Sequence, residues 1–294
     1  MFPITLILFS PFLVLSLESW LLLWMVIELS SVGFILFMKS MEESVIYFLT
    51  QTFGSILILY HLVFWKENLL VSFSISSLIL SIGLFLKMGL IPLHQWFLNI
   101  GSKIKKSPFF VLMTIQKVAP LFLFKLFFKS FSFPFFAIMS VVFGVFFQMS
   151  TFNLKELLLY SSIVNMGWMI FLTSFHISSL FLYFFIYTTI LLFLIPQMKS
   201  DSMTILLGFM SLAGIPPLLG FFMKLIALKT FSCWSEFWSI ILLIFSVINV
   251  LIYFRVFFPK SLKTPEKIFQ IFSNKFEKVF IFSHISFPFF LIFL

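Results

Sequence analysis

Apolar residues run almost without interruption through most of this 294-residue chain, and polar residues gather in short clusters between the runs. The runs do not alternate with a period of two, as the strands of a membrane barrel do. Stretches such as "SIILLIFSVINVLIYF" are continuous. A helix needs roughly 17 to 25 such residues to cross a bilayer. Cutting at charges, prolines and polar clusters predicts eleven helical spans, at about 1–17, 20–38, 44–64, 70–91, 108–128, 133–149, 157–175, 177–196, 203–225, 233–254 and 279–294. Connections are brief except for 255–278, so no soluble domain is expected. The pattern points to an all-α polytopic transmembrane helix bundle.

Composition sharpens this picture. The chain is 62% hydrophobic and 10% charged, with a mean hydropathy of +1.18; a soluble domain carries about 25% charged residues. Lipid is therefore the expected solvent, and lipid leaves the backbone only helices or a closed barrel. The net charge of +9 reads mainly as a topology signal. With eleven spans, twelve of the nineteen Lys and Arg residues fall on the side of the N-terminus, among them Lys39, Lys103, Lys105, Lys106 and Arg255. Three (Lys66, Lys129 and Lys229) fall on the other side, and four lie within spans. Basic loops stay inside, so the N-terminus is expected inside and the C-terminus outside. These basic residues sit in short membrane-flanking loops, which gives no indication of nucleic acid binding. The N-terminal "MFPITLILFSPFLVLSL" has neither a basic n-region nor an Arg- and Ser-rich stretch, so cotranslational insertion without a cleaved presequence is expected. The single cysteine, Cys233, rules out an internal disulfide or a cysteine-ligated cluster. The four histidines (His61, His94, His176 and His284) fall near segment ends or alone, so no haem between helices is expected.

The candidate chemistry lies in the charges inside spans. A charge at the bilayer centre costs roughly 2.5 to 3.5 kcal/mol on insertion scales, so such residues usually pair, face the bundle interior or line a wet path. Glu28, in "WLLLWMVIELSSVGFILFM", is mid-span and too deep to reach an interface. Lys87 is followed by a break at Gly89 and Pro92, with His94 just beyond. Lys117 follows Gln116 and precedes Pro120. Lys224 lies eight residues past Pro216 and is preceded by the double proline Pro216–Pro217. Near span ends a lysine can also extend its head to the interface; that alternative stays open for Lys87 and Lys224 and is preferred for Lys125. The recurring combination is a helix breaker beside a buried ionisable group. Transporters build ion sites this way, often in two repeats; "GLIPL" at 89–93 and "GIPPL" at 214–218 faintly echo one another. Burial disfavours the charged form of an amine, and a nearby carboxylate restores it. Glu28 and Lys87 could thus form a switchable pair that passes a proton through water to Lys117.

Six motifs in order then resemble one family. "WMVIELSSVGFILFM", "SVIYFLTQTFGSILIL", "KMGLIPLHQWF", "TIQKVAPLFLF", "LKELLLYSSIVNMGWM" and "LAGIPPLLGFFMK" are similar to the helices of the subunit-2 family of proton-pumping NADH–ubiquinone oxidoreductase (respiratory complex I), in its mitochondrial animal form. The resemblance covers most of the first 225 residues. It implies two inverted five-helix repeats with interrupted helices, about 1–128 and 133–254, plus a C-terminal helix at about 279–294. Carried over by motif, it implies a proton pathway of Glu28, Lys87, His94, Lys117 and Lys224, with helix breaks at Gly89, Pro92, Pro120, Pro216 and Pro217. It departs from the family at Leu159, where alanine is usual, at Asn165, where histidine is common, and at Glu156, a commonly basic position.

The function so implied is that of a membrane-arm subunit carrying protons across the mitochondrial inner membrane, with the N-terminus on the matrix side and the C-terminus on the intermembrane-space side. No redox site is expected in this chain, which has no glycine-rich nucleotide fingerprint and no cysteine set. NADH, FMN, iron–sulfur clusters and ubiquinone would be bound by other subunits. Expected partners are neighbouring antiporter-like and other membrane subunits, lipids and protons. Two rivals remain at this stage: a free-standing cation/proton antiporter, and a non-conducting structural subunit.

Overall fold

The computed structural model describes residues 2–17, 19–65, 70–127, 133–173, 175, 177–198, 203–216, 218–232 and 236–263. Among them are thirteen helices and no strand. The chain divides into two compact units, Met1–Phe133 and Pro134–Leu294. By length and composition, Met41–His61, Lys106–Leu126, Leu154–Thr173, Ile177–Gln197 and Glu236–Arg255 are long and apolar enough to cross a membrane.

The first unit holds α1 (Phe2–Ser16), α2 (Trp20–Phe37), α3 (Met41–Trp65), α4 (Leu70–Met88), α5 (Gln95–Lys103), α6 (Lys106–Met113) and α7 (Ile115–Phe127). Its most extensive packing is α3 against α4. Small residues make this approach close: a Cβ on Gly83 would lie 2.9 Å from the Gly54 carbonyl oxygen, and one on Gly54 would lie 2.9 Å from Lys87 Cγ. With no apolar driving force between helices in lipid, such backbone proximity is how spans associate. α1 packs on α2 and α7, and α7 also touches α2 and α4. Large apolar side chains such as Phe9, Phe12 and Phe53 face outward, the arrangement lipid accepts and water does not.

Two expected spans of this unit are shaped differently. The span expected at 70–91 stops at Met88, and the connection after it contains a further short helix, α5. The span expected at 108–128 is interrupted, but not at Pro120. Pro120 lies inside α7, and the interruption falls at Thr114, which ends α6 with φ −120° and ψ −82°. Proline lacks the N–H that would meet the Gln116 carbonyl and crowds the preceding turn, so the distortion sits upstream of the ring. Thr114 caps the end of α6 by donating from Oγ1 to the Phe110 carbonyl at 2.7 Å.

The second unit holds α8 (Phe133–Ser150), α9 (Leu154–Thr173), α10 (Ile177–Gln197), α11 (Met203–Ala213), α12 (Leu219–Ser232) and α13 (Glu236–Lys263). α9 is its axis: from Leu157 to Thr173 every residue except Tyr160 is buried, as an apolar helix without a polar face should be. The span expected at 203–225 is two helices, α11 and α12, separated by a break. α13 continues to Lys263, past the expected end at 254. Phe237, Ile240 and Leu251 on α13 face outward. The helix expected at 279–294 lies outside the described residues, as does Pro217.

Candidate functional site

Both interrupted helices end in the same device. In the first unit, Gly89 takes φ +67° after α4; its N–H donates to the Leu86 carbonyl at 3.3 Å, and the Leu90 N–H donates to the Phe85 carbonyl at 2.9 Å. In the second, Gly214 takes φ +85° after α11; its N–H donates to the Ser211 carbonyl at 3.0 Å, and the Ile215 N–H to the Met210 carbonyl at 3.3 Å. This is the Schellman closure, in which a left-handed glycine lets two N–H groups fold back on the last turn. It leaves the final carbonyls of each helix without helical partners. A buried lysine accompanies each break: Lys87 in the last turn of α4, and Lys224 against the end of α11.

In the first unit, Lys87 Nζ lies 2.7 Å from Glu28 Oε1. The lysine side chain is fully enclosed, whereas the glutamate side chain keeps 23% exposure. Gln51 Nε2, on α3, donates to the orphan Lys87 carbonyl at 3.4 Å. The backbone then passes the cis peptide Ile91–Pro92 to His94, which is buried, caps the start of α5 and has its Nδ1 3.3 Å from the Pro92 carbonyl oxygen. α5 folds back against the break so tightly that a Cβ on Gly89 would lie 2.6 Å from Phe97 Cβ.

Lys117 sits on α7, 2% exposed, with Nζ 4.7 Å from the centroid of the Phe97 ring. A desolvated cation over an aromatic face gains up to about 2 kcal/mol or more. Gln116 Nε2 donates to the Ser30 carbonyl of α2 at 3.1 Å and its Oε1 accepts from the Tyr47 hydroxyl of α3 at 3.3 Å. The Tyr47 ring in turn lies edge-on to Trp96 of α5, centroids 5.8 Å apart. Lys117 therefore borders α5 at Phe97, the residue against which Gly89, two positions past Lys87, also packs. Lys125 is only partly buried near the end of α7.

In the second unit, Lys224 is buried on α12 and donates from Nζ to the carbonyl of Ala213, the last residue of α11. Its stem crosses the break: a Cβ on Gly214 would lie 2.8 Å from Lys224 Cδ. The carbonyl end of a helix is its negative pole and favours a cation. Pro216 lies within the break. Asn165 donates to the Ser161 carbonyl at 2.9 Å and accepts from the Tyr183 hydroxyl at 2.9 Å.

The sequence reading named none of Tyr47, Gln51, Ser30 or Tyr183. One signal was present. Tyr47, Gln51 and Gly54 are spaced four and three apart within an apolar run, so they form one small or polar stripe on a helix. Among the described residues, no three His, Cys, Asp or Glu side chains gather as a metal ion would require.

An all-helical chain with spans broken at buried, hydrogen-bonded charges is built like an ion-translocating membrane module, in which unwound backbone at depth is tolerated only inside protein or beside water. The family follows from comparison: the chain belongs to the NADH:quinone oxidoreductase/Mrp antiporter transmembrane family, whose model matches residues 18–203. Among curated proteins it is similar to NADH-ubiquinone oxidoreductase chain 2 of Artemia franciscana, 29% identical over 88% of this chain and 90% of that one. It is likewise similar to chain 2 of Anopheles gambiae, 26% identical over 95% and 92%. Its fold is shared with a chain of respiratory complex I from Thermus thermophilus, with a TM-score of 0.77 and 18% identity over 86% of this chain and 68% of that one. It is shared too with a chain of an archaeal membrane-bound sulfane sulfur reductase, with a TM-score of 0.79 and 15% identity over 99% and 72%.

Proposed function

We propose that this chain is a membrane-arm subunit of a proton-pumping NADH:ubiquinone reductase and carries protons across the mitochondrial inner membrane. The observation that carries this reading is the enclosed Lys87–Glu28 pair at a broken helix, with the buried Lys117 over Phe97 of α5. A salt bridge that only stabilised the fold would gain nothing from an interrupted helix; buried ion pairs are weak stabilisers at best. An amine whose counterion can be drawn away is instead a proton donor. In the first unit Glu28 controls the charge on Lys87, His94 lies in the break, and Lys117 receives the proton through water. In the second unit Lys224 is the ionisable group at the corresponding break. The two units act as two related halves, about 1–128 and 133–254. The N-terminus lies in the matrix and the C-terminus in the intermembrane space. NADH, FMN, iron–sulfur clusters and ubiquinone belong to other subunits, and the redox reaction to the whole assembly.

Mild-detergent isolation from mitochondria, followed by in-gel NADH oxidation, tests the assignment. The chain is expected to migrate with a large NADH-oxidising assembly. A solitary protein that exchanges cations for protons in vesicles would make it a free-standing antiporter. Lys117→Ala, measured in proteoliposomes with a pH-sensitive dye, separates conduction from scaffolding: the proton-to-electron ratio is expected to fall, and an unchanged ratio in assembled complex would make the chain structural.

A further inference from the structure

In the first unit, one aromatic side chain touches both the helix break and a buried lysine. Phe97 of α5 is 1% exposed. Gly89 packs against its near end: a Cβ there would lie 2.6 Å from Phe97 Cβ, 2.9 Å from Cγ and 3.3 Å from Cδ2. Lys117 Nζ lies over its face, 4.7 Å from the ring centroid. Trp96 stands edge-on to the same ring, with centroids 5.9 Å apart and planes at 78°. Trp96 is in turn edge-on to Tyr47 of α3, whose ring lies 4.9 Å from that of Phe34 on α2. All four rings are buried. In a close-packed interior, contacts running back to α2, α3 and the break thus set where the face of Phe97 points.

We propose that Phe97 is the positioning residue of Lys117: its ring face holds the ammonium, and its packing on Gly89 ties that hold to the shape of the break. A ring suits the task for a physical reason. Its quadrupole attracts a cation and has no such pull on a neutral amine, so the hold depends on whether Lys117 is charged. The carboxylate that serves Lys87, Glu28 at 2.7 Å, is a full opposite charge and a far stronger partner. It also has to be desolvated itself, whereas the ring is at home in an apolar interior. A leucine would fill much of the same space without attracting the ammonium. The seat on the break is equally specific. Residue 89 has room for no side chain beside Phe97, so the ring rests directly on the left-handed turn that follows Lys87. A change in that turn moves the ring, and with it the place where the Lys117 ammonium is stable. The two lysines are thereby linked through a packed contact as well as through their charges.

The inference rests on the proton-carrying reading above, and its test keeps the two apart. In a high-resolution map of the intact assembly, Lys117 Nζ is expected within about 6 Å of the Phe97 centroid; an ammonium turned away from the ring onto a carboxylate would overturn the proposal. Phe97→Leu and Phe97→Tyr are then assembled and measured in proteoliposomes beside Lys117→Ala, with Phe109→Leu, at a buried site on α6, as the packing control. Phe97→Leu is expected to lose at least half as much of the proton-to-electron ratio as Lys117→Ala does, and to add nothing in the double variant. Phe97→Tyr, which keeps the ring face, is expected to hold the ratio, and Phe109→Leu to leave it full. If Phe97→Leu does not assemble, Phe97→Met takes its place with the same expectation. Equal losses in Phe97→Leu and Phe97→Tyr would show that shape matters and the ring face does not, which sinks the positioning role. A full ratio in Phe97→Leu, with a reduced one in Lys117→Ala, would sink it too and leave the proposed function standing. A full ratio in every variant would overturn that function as well.

Discussion

At the residue scale, the Lys87–Glu28 pair is the interaction whose loss has the clearest consequences. Removing one partner of an enclosed pair strands the other, which costs on the order of 3–5 kcal/mol, whereas replacing both with apolar groups is often neutral. Glu28→Leu and Lys87→Met are therefore each expected to lower the thermal stability of the assembled protein, and the double variant to regain most of the loss; additive losses would mean the pair is not coupled. Glu28→Gln keeps the shape and removes the charge, so its expected effect is on pumping: a lower proton-to-electron ratio with NADH oxidation retained. Much of this was legible beforehand. A glutamate nine residues into an apolar span, and lysines beside breakers, stand out in any reading of the chain. That the two charges touch was not, because contact between α2 and α4 depends on how α3 lets α4 approach at Gly54 and Gly83. Gln116 was visible only as a polar neighbour of Lys117. Its bridging of α2 and α3 required the fold.

At the element scale, the breaks matter more than the spans. Gly89 and Gly214 occupy left-handed backbone where a side chain is strained, and at Gly89 a Cβ would also strike Phe97. Gly89→Ala is expected to destabilise by at least the 1–3 kcal/mol of such strain and to displace α5 from Lys117, which a proteolysis or thermal-shift comparison with Gly83→Ala would separate from simple overpacking. Pro120→Ala should be mild, because α7 already runs through the proline and the discontinuity rests on Thr114; a severe loss of assembly would show that the ring holds the break open. Hydropathy and punctuation placed ten of the expected spans over helices, and the breakers at Gly89, Pro92 and Pro216 marked two of the interruptions, but they could not show that the α6–α7 discontinuity falls at Thr114 or that α5 folds back. Short amphipathic helices at depth carry no run long enough to register, and a proline's effect on its upstream turn depends on what else can cap it.

At the scale of the whole molecule, orientation rests on the loop charges alone. Lys103, Lys105, Lys106 and Arg255 are assigned to the matrix side by the eleven-span reading. An amine-reactive label that cannot cross membranes is expected to miss Lys105 in mitoplasts and to reach it in inverted inner-membrane vesicles; the opposite pattern would invert the topology. The enclosure of the first unit's ion pair has a consequence of its own. Because the ammonium is sealed and the carboxylate is not, any outside disturbance must speak to the acid first, and the base can only answer.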